Sequence, residues 1–348
     1  MEAPSDHEAA RPALTGAVDL RGFEQLHLRV GLVVDQAIKG LSPLGVAEDK
    51  RTLNEFLSAM QLPLSLRRER LGQLLCTQDV LGERSADDMR SERLLLLLAT
   101  QRLLRDAGDA HLPVSVRLQL LSFWLQIVEP PKRVLELFHR STNTFESACE
   151  TVVLDRLPAG QLSWVRSGLP RRSLLEVPLR LAVPFMRHVI GSMKGFKPVF
   201  VVHANGFRRN RFIMLEVEAR RSYFRIAQVL RDQPEVHGLI TVSWYHDPGL
   251  PSVSPHLAWM NGIIEEGGGV VFPGALANAQ SGTFENSTAR QAAAGRGDYK
   301  PREGVVLWPR HAMLAWADRQ VDLADDASTA RRIIESLESH IALQSQAS

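Results

Sequence analysis

The chain has 348 residues, 45% hydrophobic and 23% charged, with a net charge of +2. That is ordinary globular usage, which excludes collagen-like, coiled-coil and wholly disordered classes and leaves room for two compact units, each able to bury its own core. Its two cysteines, Cys76 and Cys149, lie far apart without a CxxC spacing or a Cys/His cluster, so they read as reduced core residues.

The first twenty residues lack the basic start and apolar run of a signal peptide, and their Pro, Ala and acidic content suits a disordered tail (1–20). No apolar stretch approaches the roughly twenty residues that span a bilayer. A cytoplasmic protein without a transmembrane segment is therefore expected.

From Gly22 to about Leu157 the pattern is helical. Leu26, Val30, Val33, Val34, Ala37 and Ile38 recur at threes and fours, and the period returns at Phe56 to Met60 and Leu94 to Leu104. Gly40, Leu62-Pro63, Gly108 and Pro130-Pro131 mark helix ends, since proline removes a donor and forbids continuation. Six or seven helices are expected over 21–160, without a strand, a fixed repeat or a helix-turn-helix. A protein partner is the role this helical domain suits.

After Leu157-Pro158-Ala159-Gly160 and Gly168-Leu169-Pro170 the texture changes. Lys197 to His203 reads as a strand, Val217 to Asp232 as a helix and His237 to Tyr245 as a second strand. A crossover of that length implies a βαβ unit with parallel strands. Ser254-Pro255 then reads as an N-cap with proline at the first helical position, opening a helix that runs to Glu266. Gly267-Gly268-Gly269 stands between helix and strand, the reverse of phosphate-loop order, and so reads as a helix cap. Strands at Val270 to Phe272 and Gly304 to Trp308, with helices at Thr288 to Ala294, His311 to Arg319 and Thr329 to Leu343, complete the chain. The fold class expected is α/β: a helical N-terminal domain followed by an α/β domain (161–348) with a mainly parallel or mixed central sheet.

Charge is uneven. Arg166 to Arg225 carries thirteen Lys or Arg against three acids, a local +10, and Arg208, Arg209 and Arg211 are its densest cluster. Such a segment suits a phosphate-bearing ligand, an anionic surface or nucleic acid. Phe196, Phe207, Phe212 and Tyr223 are interleaved with it, a mixture that also suits base stacking.

Ser243-Trp244-Tyr245-His246-Asp247-Pro248 concentrates chemistry where a strand gives way to a loop, the place where open α/β sheets bind ligands. The preceding strand ends in His203-Ala204-Asn205. If the two strands are parallel, His203, Asn205, His246 and Asp247 share one edge, a set suited to proton transfer. No HxH or HxxxH spacing supports a metal, and GxGxxG, GxxxxGK[ST] and GxSxG motifs are absent from the sequence.

The stretch from Trp244 to Arg310 resembles the late part of the GCN5-related N-acetyltransferase fold. The shared order is a strand ending near Tyr245, a helix from Pro255, a strand from Val270, a short helix preceded by Asn286, an aromatic at Tyr299 and a strand from Val305. That family's Gln/Arg-x-x-Gly-x-Gly/Ala turn is not present. Pro248-Gly249-Leu250-Pro251 stands in its place, and the family's early strands are not evident.

The resemblance implies an acyl-CoA or acyl-carrier donor near splayed strands, with the pyrophosphate on the helix from Pro255, where His256 joins the binding set. His246 becomes the expected general base, oriented by Asp247 or His203, with Tyr299 protonating the leaving group. Trp244, Tyr245 and Arg310, the last freed by Pro309 to face the cleft, complete the expected binding set. The alternative is a nonenzymatic assembly protein that contacts a protein partner and an anionic surface or nucleic acid.

Overall fold

The computed structural model describes residues 20–42, 46–75, 89–106, 112–128, 138, 143–169, 176–204, 215–277, 287–320, 323 and 326–347. Six α-helices come first among them: α1 (Leu20–Leu41), α2 (Val46–Met60), α3 (Leu64–Leu75), α4 (Arg90–Asp106), α5 (Val114–Val128) and α6 (Asn143–Val152). Their apolar stripes close on Val34, Leu96, Leu120, Trp124 and Phe145, all buried. Cys149 is buried in this core, and burial drives its thiol pKa well up, which makes it an inert packing group. Cys76 lies outside the described residues.

The last helix, α13 (Asp326–Ala347), departs from the expected grouping. Ala330, Ile333 and Leu337, at helical spacing, pack into the N-terminal core rather than against the sheet. Gln119 Nε2 of α5 donates to Thr329 Oγ1 at 3.2 Å, tying the last helix to the N-terminal helices.

The sheet has six strands in the order β1-β2-β3-β4-β6-β5: β1 (Arg156–Pro158), β2 (Leu162–Gly168), β3 (Pro198–Ala204), β4 (Gly238–Ser243), β5 (Val270–Leu276) and β6 (Arg302–Pro309). β1 overlaps the first turn signal and β2 runs between the two, so the sheet, mixed in sense, begins earlier than expected. β3 and β4 are the parallel neighbours, joined through α8 (Glu216–Asp232) as the crossover required. Every other described pairing is antiparallel.

Strand alternation divides the sheet into two apolar faces. Phe200, Val202, Leu239, Val306 and Trp308 face α8, α10 (Trp259–Glu266) and α12 (Arg310–Asp318). Val199, Ile240, Val305 and Leu307 face a segment made of a short 3₁₀ turn (Leu179–Leu181), α7 (Ala182–Arg187) and a π-helical turn (His188–Ser192). The remaining helices are short, α9 (Leu250–Val253) and α11 (Thr288–Gly295).

The triple glycine behaves as its order in the chain predicted. Gly267 caps α10 and Gly268 takes φ +74°, where a side chain is disfavoured. The Trp308 indole packs on the turn and donates Nε1 to Gly267 O at 2.8 Å. A Cβ on Gly267 would lie 2.0 Å from that ring, so glycine is required there on steric grounds as well.

Candidate functional site

The parallel ladder between β3 and β4 has two rungs, Phe200↔Leu239 and Val201↔Ile240. Beyond them the strands part, although β3 stays paired to β2 as far as Ala204 and β4 stays paired to β6 as far as Ser243. Val202 to Ala204 and Thr241 to Ser243 therefore bound a wedge at the carboxyl ends of two parallel strands. This is the position at which α/β sheets hold ligands.

A small cleft lies on this wedge. His203 and Ala204 line it from β3, Thr241 and Ser243 from β4, Tyr223 from α8 and Trp259 from α10. Tyr245 and His246 line it from a 3₁₀ turn (Trp244–His246) that follows β4. The structure thus brings His203, Tyr245 and His246 together at one edge. Asn205, Arg208, Arg209 and Arg211 lie outside the described residues.

His246 and Asp247 do not act on each other as expected. The 3₁₀ turn ends at His246 and Asp247 caps it with non-helical backbone (φ −58°, ψ 119°), so the two neighbours meet different partners. His246 Nδ1 lies 3.0 Å from Asn261 Oδ1, on α10. With the amide oxygen accepting, Nδ1 carries the proton and Nε2 is left as the basic nitrogen. Burial lowers the imidazole pKa to about 4, against a smaller upward pull from the Asn261 bond. The ring is therefore neutral at physiological pH, rather than poised near it as expected.

Asp247 is saturated elsewhere. Oδ1 accepts Gly249 N at 2.9 Å, while Oδ2 accepts Tyr299 OH at 2.7 Å and Arg302 N at 3.0 Å. It ties the post-β4 turn to the start of β6. The same bond corrects the reading of Tyr299: its proton is held by a carboxylate, and burial followed by Asp247 raises its pKa. Tyr299 is a brace, not a proton donor aimed at the cleft.

Trp244 is buried behind Tyr245, on which it stacks with ring centroids 4.0 Å apart. The buried Arg290 guanidinium lies over the Trp244 ring at 4.9 Å and donates to Ser254 Oγ at 3.2 Å. Ser254 makes no capping bond, and the helix expected from Pro255 starts at Trp259 after a 3₁₀ turn (Pro255–Leu257). His256 is exposed on that turn.

Arg310 stands at the other end of the sheet. It donates to the carbonyls of Leu230, Arg231, Gln233 and Val236, closing the C-terminus of α8. Pro309 pairs with Gly238 as the last rung, so β6 ends there as expected and Arg310 begins α12.

The basic segment is also partly spent within the fold. Arg166 pairs with Glu235, Arg220 with Glu216 and Glu266, and Arg221 with Glu218, while buried Arg225 donates to Ala159 O. Tyr223 is core, 5.4 Å from Trp308 between ring centroids. Tyr223 is therefore not offered for base stacking; Phe207 and Phe212 lie outside the described residues.

Asn261 is the residue of this cluster that the sequence reading missed. An asparagine inside an amphipathic helix disfavours that helix unless its amide has a specific partner, and that was the available signal.

No family model and no curated protein matches the sequence. Among solved structures, an acyltransferase in complex with decanoyl-CoA is similar at a TM-score of 0.32 and 14% identity, covering 82% of this chain and 99% of that one. Likeness at that level carries no functional inference. Among the described residues no group of His, Cys, Asp or Glu has the arrangement of a metal site, and no helix is long and apolar enough to cross a membrane.

Proposed function

We propose that the chain is an acyltransferase whose acyl-CoA or acyl-carrier donor enters between the diverging ends of β3 and β4. The observation that carries this reading is the two-rung parallel ladder opening onto a lined cleft. Two strand segments that have parted from each other present backbone donors and acceptors to whatever lies between them, and an extended arm with amide groups is the ligand that pairs with them. The order β3-β4-β6-β5, with α8 and α10 as the connections on one face, also supports the resemblance to GCN5-related N-acetyltransferases. So do β1 and β2, which supply earlier strands.

The chemistry needs little acid help. An acceptor nucleophile attacks the thioester carbonyl, its bond to carbon forms and the carbon–sulfur bond breaks. The thiolate leaves readily because a thiol has a pKa of about 8.5. His246 Nε2 is the group assigned to take the nucleophile's proton, with Asn261 fixing the tautomer. A buried imidazolium passes that proton on easily to the departing sulfur. In sequence Arg208, Arg209 and Arg211 fall between β3 and α8, and three guanidiniums suit the phosphates of a donor.

Isothermal titration with acetyl-CoA and a long-chain acyl-CoA tests the donor; absence of heat and of thermal stabilisation with both would end the reading. For the residue role, His246→Ala is expected to lose on the order of a hundredfold in turnover while remaining folded. Full turnover in the folded variant would remove His246 from the mechanism.

A further inference from the structure

The segment covering the second face of the sheet is built on two apolar sides. Phe185, Val189 and Met193, spaced by four, are fully buried against Val199, Ile240 and Leu307. That side accounts for the helix's place in the fold. It leaves unexplained a second set on the outside: Leu179 is 91% exposed, Val183 81%, Ile190 63% and Phe196 39%. Scattered apolar residues on a surface are normal, but four large ones within eighteen positions on one ridge are not.

The charge on the same ridge has a single sign. From Val177 to Lys197 the chain carries Arg180, Arg187, Lys194 and Lys197 and no acidic residue. All four are exposed, and none forms an ion pair with a described residue. His237 lies close enough to Lys194, Lys197 and Arg310 for them to lower its pKa further after burial, which marks a positive field at this end of the sheet.

The geometry points to an anionic lipid surface as what this ridge docks on, and we infer that residues 178–197 form a peripheral membrane-binding face. The exposed aliphatic groups protrude from a helix laid flat on the sheet, which suits insertion at a headgroup boundary. The four cations flanking them attract acidic headgroups, each contributing about a fivefold increase in binding when it reaches the surface. The face lies on the opposite side of the sheet from α8 and α10, so docking there leaves those cleft-lining helices uncovered, and the inference stands whether or not acyl transfer is the activity.

The test is cosedimentation of the full chain with vesicles of phosphatidylcholine alone and with about one-third phosphatidylserine, at low and high salt. Binding is expected to the acidic vesicles and to weaken tenfold or more with salt. Arg180→Gln/Lys194→Gln should weaken it by about tenfold or more. Leu179→Ser/Val183→Ser/Ile190→Ser should abolish it, with melting temperatures unchanged because every substituted side chain is exposed. Equal binding to both vesicle types, or binding indifferent to both variants, would overturn the proposal. So would light scattering that shows a dimer converted to monomer by the triple serine variant, which would assign the ridge to a second copy of the chain.

Discussion

The two ends of the β3–β4 pair are built to opposite specifications. At the amino end everything is closed: His237 N donates to Pro198 O, Arg310 N donates to His237 O, and the Arg310 side chain fills the carbonyls at the end of α8. At the carboxyl end the same strands separate after two rungs, and the neighbouring residues are held by third parties, His246 by Asn261 and Asp247 by Tyr299 and Arg302. The difference teaches that the opening is supported from outside the pair. The wedge is kept by β2, β6 and the turn after β4, not by the parallel strands themselves.

The largest effect is expected at Gly304, where β6 passes the turn after β4. A Cβ there would lie 1.9 Å from His246 O, a backbone atom that cannot rotate away. Gly304→Ala should cost about 3 kcal/mol or more, because β6 and the turn must separate to admit it. A thermal melt near wild type would show that the open end is looser than described.

Next comes pH. An unfolded histidine takes up its proton near pH 6.5, whereas folded His246 does so only near 4. Keeping the ring neutral therefore stabilises the fold fully above about pH 6.5, and that contribution disappears progressively as pH falls toward 4, to a total on the order of 3 kcal/mol. His246→Gln should flatten the stability profile over this window. The same position tests the proposed activity: the acid limb of turnover is expected near pH 4 if His246 is the base, and a limb near neutrality would assign the proton to another group.

The smallest effect belongs to the closed end. Arg310→Ala exposes or orphans several carbonyls at the terminus of α8 and should cost roughly 1–2 kcal/mol, moderated because the side chain is only partly buried. Donor binding at the distant cleft should be unchanged. A large loss of binding in Arg310→Ala would join the two ends and break the comparison.

Much of this arrangement was legible in the residues. The apolar runs at 198–204 and 238–243 with one amphipathic helix between them required parallel strands, and parallel strands placed His203 and His246 at one edge. β1 and β2 were not legible, because Arg156-Leu157-Pro158 is three residues long and Leu162–Gly168 ends in an exposed Arg-Ser-Gly between turn signals. Partner choice was also out of reach. Adjacency in sequence suggested that Asp247 orients His246, whereas the turn sends them apart and the true partner lies fifteen residues on. Arg310 was misread for a similar reason: its place after Pro309 gave no sign of the four carbonyls waiting across the sheet.

Backbone hydrogen exchange across the wedge tests the central claim most directly. Amides in 202–204 and 241–243 lie on strands whose facing ladder ends at Val201 and Ile240, so a donor seated between them should slow exchange in both segments together. Saturating acyl-CoA is expected to protect these two peptides while leaving the paired rungs at 200–201 and 239–240 unchanged. Exchange that is unaltered in both segments, or protection confined to a distant part of the chain, would contradict the assignment of this cleft to the acyl donor.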